Sequence, residues 1–272
     1  MKTQFLAQLL AQPWNIDRLR ARTIIGHLAA RLRASSESEA SEPCPPPAKM
    51  QRVGDVAIVP LRGAVGMNLP YWCREEGWLA DANDTAAQIE EASADPALAM
   101  IVLDVDSPGG LSLAGDKLFD TAEAARRRKP VFAWCADGAE MCSTAYEASA
   151  SATAILTGRY ASAVGCIGSY IAYLDDTQFL ANLGFAFQVF RSGELKALGV
   201  DGLSEEQAAY LQSLVDSSGE AFRARVLKYR TDISPDDMRG QWFTGDEAAA
   251  RGFTAGTAKD LSAAIAKFRR MI

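Results

Sequence analysis

Apolar and amphipathic segments alternate along most of this chain. Two continuous apolar runs, 99–105 and 131–135, are typical of strands buried on both faces of a parallel sheet. Segments with apolar residues at helical spacing lie beside them at 85–94, 113–127 and 143–151. Strands that alternate with helices in this way predict an α/β fold, in which helices cover a parallel sheet.

Shorter segments extend the same alternation. Apolar runs predict further strands at 53–60, 154–157, 163–174 and 187–190. The longest helical segment, 204–230, opens with Ser-Glu-Glu-Gln, and a serine followed three residues later by glutamine is the signature of a capping box. Ser204 is therefore predicted to begin this helix.

The first 49 residues differ in pattern from the rest of the chain. Residues 1–33 form an arm whose second half has isoleucines and leucines at the spacing of an amphipathic helix. Residues 34–49, rich in Ser, Glu and Pro, have no apolar bulk to offset the entropy of ordering, so they predict a disordered linker. One large domain is then expected over 50–272.

Composition and charge narrow the range of functions. The 272 residues, 49% hydrophobic and 23% charged, are typical of a globular protein. A net charge of −6 gives no basic surface for nucleic acid. One histidine and five irregularly spaced cysteines suggest neither a zinc site nor a disulfide framework, so a reducing, cytoplasmic location fits best. The sequence also lacks an apolar run of about 18 residues that would span a membrane.

A glycine turn follows the first apolar run. Residues 107–110 read Ser-Pro-Gly-Gly and separate the strand at 99–105 from the helix at 113–127. Glycines there let backbone N–H groups face outward next to a helix start, which suits an oxyanion or a phosphate. A tight turn without any ligand is the alternative, and the turn alone does not decide between them.

Ser143 begins the helical segment that follows the second apolar run. A serine in this place is expected to expose its hydroxyl oxygen, as a nucleophile requires. The alternative is an ordinary N-cap serine. None of the rival serines directly follows a strand at a helix start: Ser149, Ser151, Ser162 and Ser169.

A nucleophilic serine needs a base, and the chain offers few. The single histidine, His27, lies in the arm, so a Ser-His-Asp triad would require the arm to enter the site. Lys196 is flanked by Leu195, Ala197 and Leu198, and a lysine among apolar neighbours can act in its neutral form. A surface lysine whose stem covers the two leucines is the alternative.

Five motifs in a fixed order resemble the signal peptide peptidase A family of serine peptidases, which includes bacterial signal peptide peptidases and head-maturation proteases of tailed phages. They are DSPGG (106–110), KPVFAW (129–134), CSTAYEASASA (142–152), SAVGCIGSYIAYLD (162–175) and GELKALG (193–199). The resemblance covers roughly 53–257 and includes WFTGDEAAARGF (242–253). The opening segment 12–31 is similar to that of phage and prophage members. A Clp/crotonase-like fold of repeated β-β-α units is implied.

The resemblance also implies roles for individual residues. Ser143 matches the nucleophile and Lys196 the general base. The N–H groups of Gly110 and Thr144 match the oxyanion donors, with Gly109 supporting the turn; Thr144 is bulkier than the residue usual in the family. A segment that lies beside bound peptide in the family is matched by Val164, Gly165, Cys166, Ile167 and Gly168, with Cys166 in place of a serine.

The resulting hypothesis is a serine endopeptidase with a Ser-Lys dyad, an acyl-enzyme intermediate and no metal or organic cofactor, acting in phage capsid maturation. Polypeptides such as capsid, scaffold or portal proteins would be its substrates, in the cytoplasm or an assembling virion, and the resemblance implies a homo-oligomer. Three alternatives stay open. They are a signal-peptide-degrading peptidase without a membrane anchor, a crotonase-type acyl-CoA enzyme that uses Glu140 or Glu147, and an inactive capsid-assembly component.

Overall fold

The computed structural model describes residues 49–69, 74 and 79–272, together with the backbone of Trp14 and Asn15. The predicted arm helix and nearly all of the predicted linker therefore lie outside the described residues. The domain boundaries at 33 and 49 stay predictions.

The elements are numbered here in chain order. They are β1 (Trp14–Asn15), β2 (Gln51–Val53), β3 (Val56–Arg62), β4 (Ala64–Gly66), β5 (Leu79–Asp81), α1 (Ala82–Ala94), β6 (Met100–Asp106), β7 (Gly110–Leu111), α2 (Ser112–Arg126), β8 (Val131–Cys135), β9 (Glu140–Cys142), α3 (Thr144–Ala150), β10 (Ala154–Thr157), β11 (Ala163–Gly165), α4 (Thr177–Asn182), α5 (Glu205–Tyr229), a 3-10 turn (Pro235–Asp237), β12 (Trp242–Phe243), α6 (Gly245–Ala250) and α7 (Leu261–Phe268).

The central sheet has the order β10-β8-β6-β3-β2, and all its strands are parallel except the edge strand β2. Alternate side chains of these strands enter two apolar layers, because successive residues of a strand point to opposite faces. One layer holds α1, α2 and α3, and the other holds α7, where Phe268 stacks on Phe132 of β8 with ring centroids 4.3 Å apart. The α/β class predicted from the apolar runs is confirmed.

Each long strand of the central sheet continues into a short strand of a smaller sheet. The units β6-β7-α2 and β8-β9-α3 repeat the same order, and β3-β4-β5-α1 is a variant with one more strand. The smaller sheets have the orders β1-β7-β4-β5 and β12-β11-β9. These are the β-β-α units that the resemblance implies. They bring the short strands β7 and β9, and the helix starts that follow them, to one side of the central sheet.

Several predicted elements differ from the structure. Gly54, at φ +62°, divides the strand predicted at 53–60 into the hairpin β2–β3. The strand predicted at 163–174 ends at Gly165, because Gly165, Cys166 and Gly168 have positive φ angles that interrupt the pleat. No strand forms at 187–190, where Phe190 is 93% exposed.

The start and extent predicted for the long helix are confirmed, but the second half of the capping box is missing, because the Gln207 side-chain oxygen has no hydrogen-bond partner among the described residues. The Ser204 hydroxyl oxygen accepts a hydrogen bond from the Gln207 N–H at 3.3 Å, and α5 begins at the next residue. Across the described part of the chain, no helix combines the length and the apolar character needed to cross a membrane.

Candidate active site

Ser143 occupies the tight turn between β9 and α3. Its backbone has φ +53° and ψ −123°, a region that residues with a Cβ rarely enter. The Ser143 N–H donates to the Gly165 carbonyl at 2.7 Å, and the Ser143 carbonyl accepts from the Glu147 N–H at 2.8 Å. Both backbone groups are thus fixed, and the strain is held by the fold.

The hydroxyl of Ser143 is buried and has no hydrogen-bond partner among the described residues. Leaving a buried hydroxyl unpaired costs about 1–3 kcal/mol, and a strained backbone adds a similar amount. The expectation that this hydroxyl is exposed is therefore wrong, although Ser143 belongs to the wall of a cavity. Two unfavourable features in one serine are typical of a residue kept for its chemistry.

The glycine turn lies beside this serine. The Gly109 N–H donates to the Ser107 hydroxyl at 3.2 Å, and the Gly109 carbonyl accepts from the Val65 N–H of β4 at 2.9 Å. Because every described peptide bond is trans, the N–H of Gly110 points opposite to that carbonyl, away from β4. A Cβ on Gly110 would lie 2.0 Å from the Val65 carbonyl oxygen, so only glycine fits there.

Thr144, the residue after the serine, contacts Leu111, the residue that follows the glycine turn. It is the first residue of α3 and fully buried, and its hydroxyl lies 3.4 Å from the Leu111 carbonyl oxygen that accepts its hydrogen bond. The first N–H groups of a helix have no partner inside the helix. The fold therefore brings Gly110 and Thr144, both predicted oxyanion donors, to neighbouring elements.

A cavity of about 1000 Å³ opens next to Ser143. Cys166, Ile167 and Gly168, three of the five residues predicted to lie beside a peptide, line it. The other two, Val164 and Gly165, belong to β11, which is paired with β9 on one edge and β12 on the other. A peptide strand therefore finds no free edge at Val164 or Gly165.

One face of α5 forms much of the opposite wall, which sequence reasoning missed. Val215, Gly219 and Arg223 recur at a spacing of four residues, and Asp216 lies beside them. A glycine inside a 25-residue helix is unfavourable by about 1 kcal/mol relative to alanine. That glycine was the signal in the sequence that this helix face borders a space.

Lys196 is not among the residues that line this cavity. Lys196 is exposed, and its backbone N–H donates to the Gly193 carbonyl at 3.0 Å. Leu195 beside it is 39% exposed, so the apolar surroundings predicted for the lysine do not form in the single chain. The structure fixes the position of Ser143 and leaves the predicted base on an exposed segment.

A partly buried ionic cluster links the helices around the serine. The Arg225 guanidinium of α5 donates to Asp116 of α2 at 2.6 Å and to Glu147 of α3 at 3.2 Å. Burial, helped by the negative charge of Asp116, raises the pKa of Glu147 to about 8, and burial also raises the pKa of Asp116. A Cβ on Gly115 would lie 2.3 Å from Glu147 Oε2, so a glycine makes room for the carboxylate.

The fold and this serine define a class: an α/β protein of repeated β-β-α units with a strained, buried serine at a helix start beside a cavity. The family follows from comparison with known proteins. The family model of peptidase family S49 matches residues 123–269, and the chain belongs to this family. The matched region includes Ser143, Lys196 and all of the cavity wall.

Two phage proteins are among the similar sequences. The head-tail preconnector protein GP5 of Enterobacteria phage P21 is 30% identical over 79% of this chain and 42% of its own length. The capsid assembly protease C of Escherichia phage lambda is 26% identical over 74% of this chain and 46% of its own length. The chain thus spans less than half the length of both relatives. Among solved structures, ClpP1 from Listeria monocytogenes aligns with a TM-score of 0.45 and 11% identity, over 76% of this chain and 93% of that one.

Proposed function

We propose that this protein is a serine endopeptidase of phage capsid maturation in which Ser143 is the nucleophile and Lys196 the general base. Neutral Lys196 takes the proton of the Ser143 hydroxyl, and the serine oxygen attacks a peptide carbonyl. The N–H groups of Gly110 and Thr144 hold the oxyanion, with Gly109 shaping the turn. Protonated Lys196 gives this proton to the leaving amine, and water, deprotonated by the again neutral Lys196, then hydrolyses the acyl-enzyme.

The observation that carries this proposal is the conformation of Ser143. A positive φ angle and a buried, unpaired hydroxyl occur together at the start of a helix, between a short strand and a cavity. An ordinary N-cap serine has an extended backbone and uses its hydroxyl to cap the helix, and Ser143 does neither. A strained turn between strand and helix is the arrangement by which α/β-hydrolases present a nucleophilic serine.

The proposed base needs an arrangement beyond the single chain. Lys196 lies within an exposed segment rich in apolar side chains. The exposed apolar residues of this segment are Leu174, Phe179, Leu183, Phe185, Phe187, Phe190, Leu195 and Val200. Many exposed apolar side chains within one segment are typical of a protein interface. Association of identical copies, as proposed from the family resemblance, would cover this segment and give Lys196 the apolar surroundings that favour its neutral form.

The phage role rests on the two relatives, one named for capsid assembly and one for head-tail connection. Capsid, scaffold or portal proteins are then the proposed substrates, in the cytoplasm or the assembling virion. The acyl-CoA alternative assigns its chemistry to Glu140 or Glu147, but neither residue is part of the cavity wall, and Glu147 is buried against Arg225. A signal-peptide-degrading peptidase would share the same chemistry and differ in substrate.

A fluorophosphonate probe followed by intact-mass measurement tests this proposal, because the probe reacts with an activated serine. One adduct on the wild-type chain and none on Ser143→Ala is the expected result. An adduct of equal yield on Ser143→Ala would place the nucleophile elsewhere. A 272-residue chain without any adduct would support the inactive assembly component instead.

A further inference from the structure

The outer edge of β7 is paired with a segment of the arm, and what we infer from this pairing rests on the proposed function. Strand β7 consists of Gly110 and Leu111, and β4 fills one of its edges through Val65. The other edge is paired antiparallel with β1, with Asn15 opposite Gly110 and Trp14 opposite Leu111. A segment of the arm is thus the strand that completes this small sheet.

The proposed oxyanion donor faces the same edge. The Gly109 carbonyl accepts from Val65 in β4, so the following N–H, that of Gly110, points toward β1. In an antiparallel pair, two opposed residues either exchange both hydrogen bonds or exchange none. The direction of the Gly110 N–H makes Asn15–Gly110 the pair that exchanges both. The backbone of Asn15 therefore competes for the N–H group assigned to the substrate.

We propose that residues Trp14–Asn15 occupy the outer edge of β7 in the place that a protein substrate would take. A substrate must then displace this part of its own enzyme before its carbonyl reaches Gly110. The pairing is short, but a tethered segment competes at an effective concentration in the millimolar range. The arm is therefore an internal competitor, and the substrates it resembles are extended segments that pair antiparallel with β7.

Asn15→Pro in the 272-residue chain tests this, because proline removes the N–H that pairs with Gly110 and leaves the rest of the chain intact. Asn15→Ala is the matched control, since it removes the side chain and keeps the N–H. Ala40→Pro is a second control for a proline in the predicted linker. Hydrogen exchange of segment 107–111 is expected to quicken about fivefold or more in Asn15→Pro only, the factor that one backbone hydrogen bond represents. Unchanged exchange would overturn the pairing.

Activity and binding are then measured separately. Fluorophosphonate labelling is expected to be about fivefold faster in Asn15→Pro than in wild type and in both controls. A fluorescein-labelled peptide of sequence QPWNIDR, residues 12–18, is expected to bind Asn15→Pro more tightly than wild type. Equal labelling rates, where labelling occurs, would mean that β1 is structural only. If no variant is labelled, the proposed function fails. Peptide binding then still decides the role of β1, because equal affinity of the peptide for Asn15→Pro and wild type would overturn the proposed competition.

Discussion

The backbone N–H of Ser143 donates to the carbonyl of Gly165 at 2.7 Å, and this bond ties the turn at the serine to the end of β11. Gly165 itself has φ +109°, and a Cβ on it would lie 2.9 Å from the Phe253 ring. The unusual backbone of the serine is therefore tied to a position where a side chain would clash with the Phe253 ring. One strained residue is held in place by another special backbone position.

Replacing Ser143 by alanine or by glycine distinguishes the loss of its hydroxyl from the relief of its backbone strain. Ser143→Ala and Ser143→Gly both lose the hydroxyl, so both are expected to lose fluorophosphonate labelling and peptide cleavage. Only glycine takes φ +53° without a steric cost, so the free energy of unfolding of Ser143→Gly should exceed that of Ser143→Ala by about 1 kcal/mol. Urea unfolding of the two variants measures this difference. Equal stabilities would show that the turn relaxes when the hydroxyl is gone.

Gly110→Ala tests the turn beside the serine. The new Cβ would clash with the Val65 carbonyl oxygen, which belongs to the backbone and cannot rotate away. We expect labelling of Ser143 to slow by about 100-fold, the cost of displacing one oxyanion donor. Gly54→Ala is the control, because Gly54 has a positive φ angle and nothing within 4 Å of an added Cβ. A labelling rate in Gly110→Ala as high as in the control would remove Gly110 from the proposed oxyanion site.

Lys196→Ala and Lys196→Arg test the base. Both are expected to lose at least 100-fold in the rate of peptide cleavage, since arginine does not release its proton at usable pH. Lys259→Ala, in which an exposed lysine is removed, and His27→Ala should cleave at the wild-type rate. Rates measured from about pH 5 to 10 should show an ascending limb in the wild type that Lys196→Ala lacks. Loss of cleavage in His27→Ala with normal cleavage in Lys196→Ala would contradict the Ser-Lys dyad.

The raised pKa of Glu147 predicts that the free energy of unfolding depends on pH. Its pKa is raised from 4.5 to about 8 by burial and then by Asp116, while Arg225 opposes the shift. The native state therefore binds more protons than the unfolded state between about pH 4.5 and 8, and the free energy of unfolding falls as pH rises through that window. Below the window the carboxyl is protonated in both states, and this loss is absent.

Glu147→Gln should flatten this dependence, because glutamine stays neutral and keeps an oxygen for Arg225. We expect the wild type to lose on the order of 1–3 kcal/mol between pH 5 and 8, and the variant to lose clearly less. Urea unfolding at the two pH values measures both. Glu90, an exposed glutamate of α1, provides the control Glu90→Gln, which should follow the wild type. An unchanged slope in Glu147→Gln would assign the dependence to another group.

The apolar pattern predicted most of the central sheet and its helices. The runs at 99–105 and 131–135 appear as β6 and β8, because strands buried on both faces must be apolar at every position. The pattern failed at 187–190, where the same apolar character belongs to an exposed segment without a strand. Apolar residues that lie on the surface and those buried in a strand look alike in sequence.

For the site, the sequence by itself determined the residue types and their order: a glycine turn after one buried strand, and a serine at a helix start after the next. Only the tertiary structure decided the positive φ of Ser143, the burial of its hydroxyl, the pairing of both edges of β11, and the direction of the Gly110 N–H toward β1. These features depend on hydrogen bonds between residues far apart in the chain, such as Ser143 with Gly165 and Gly109 with Val65. The hydrophobic periodicity of a segment does not reveal such bonds, because it indicates which face of a helix or strand is buried but not which residues pack against that face.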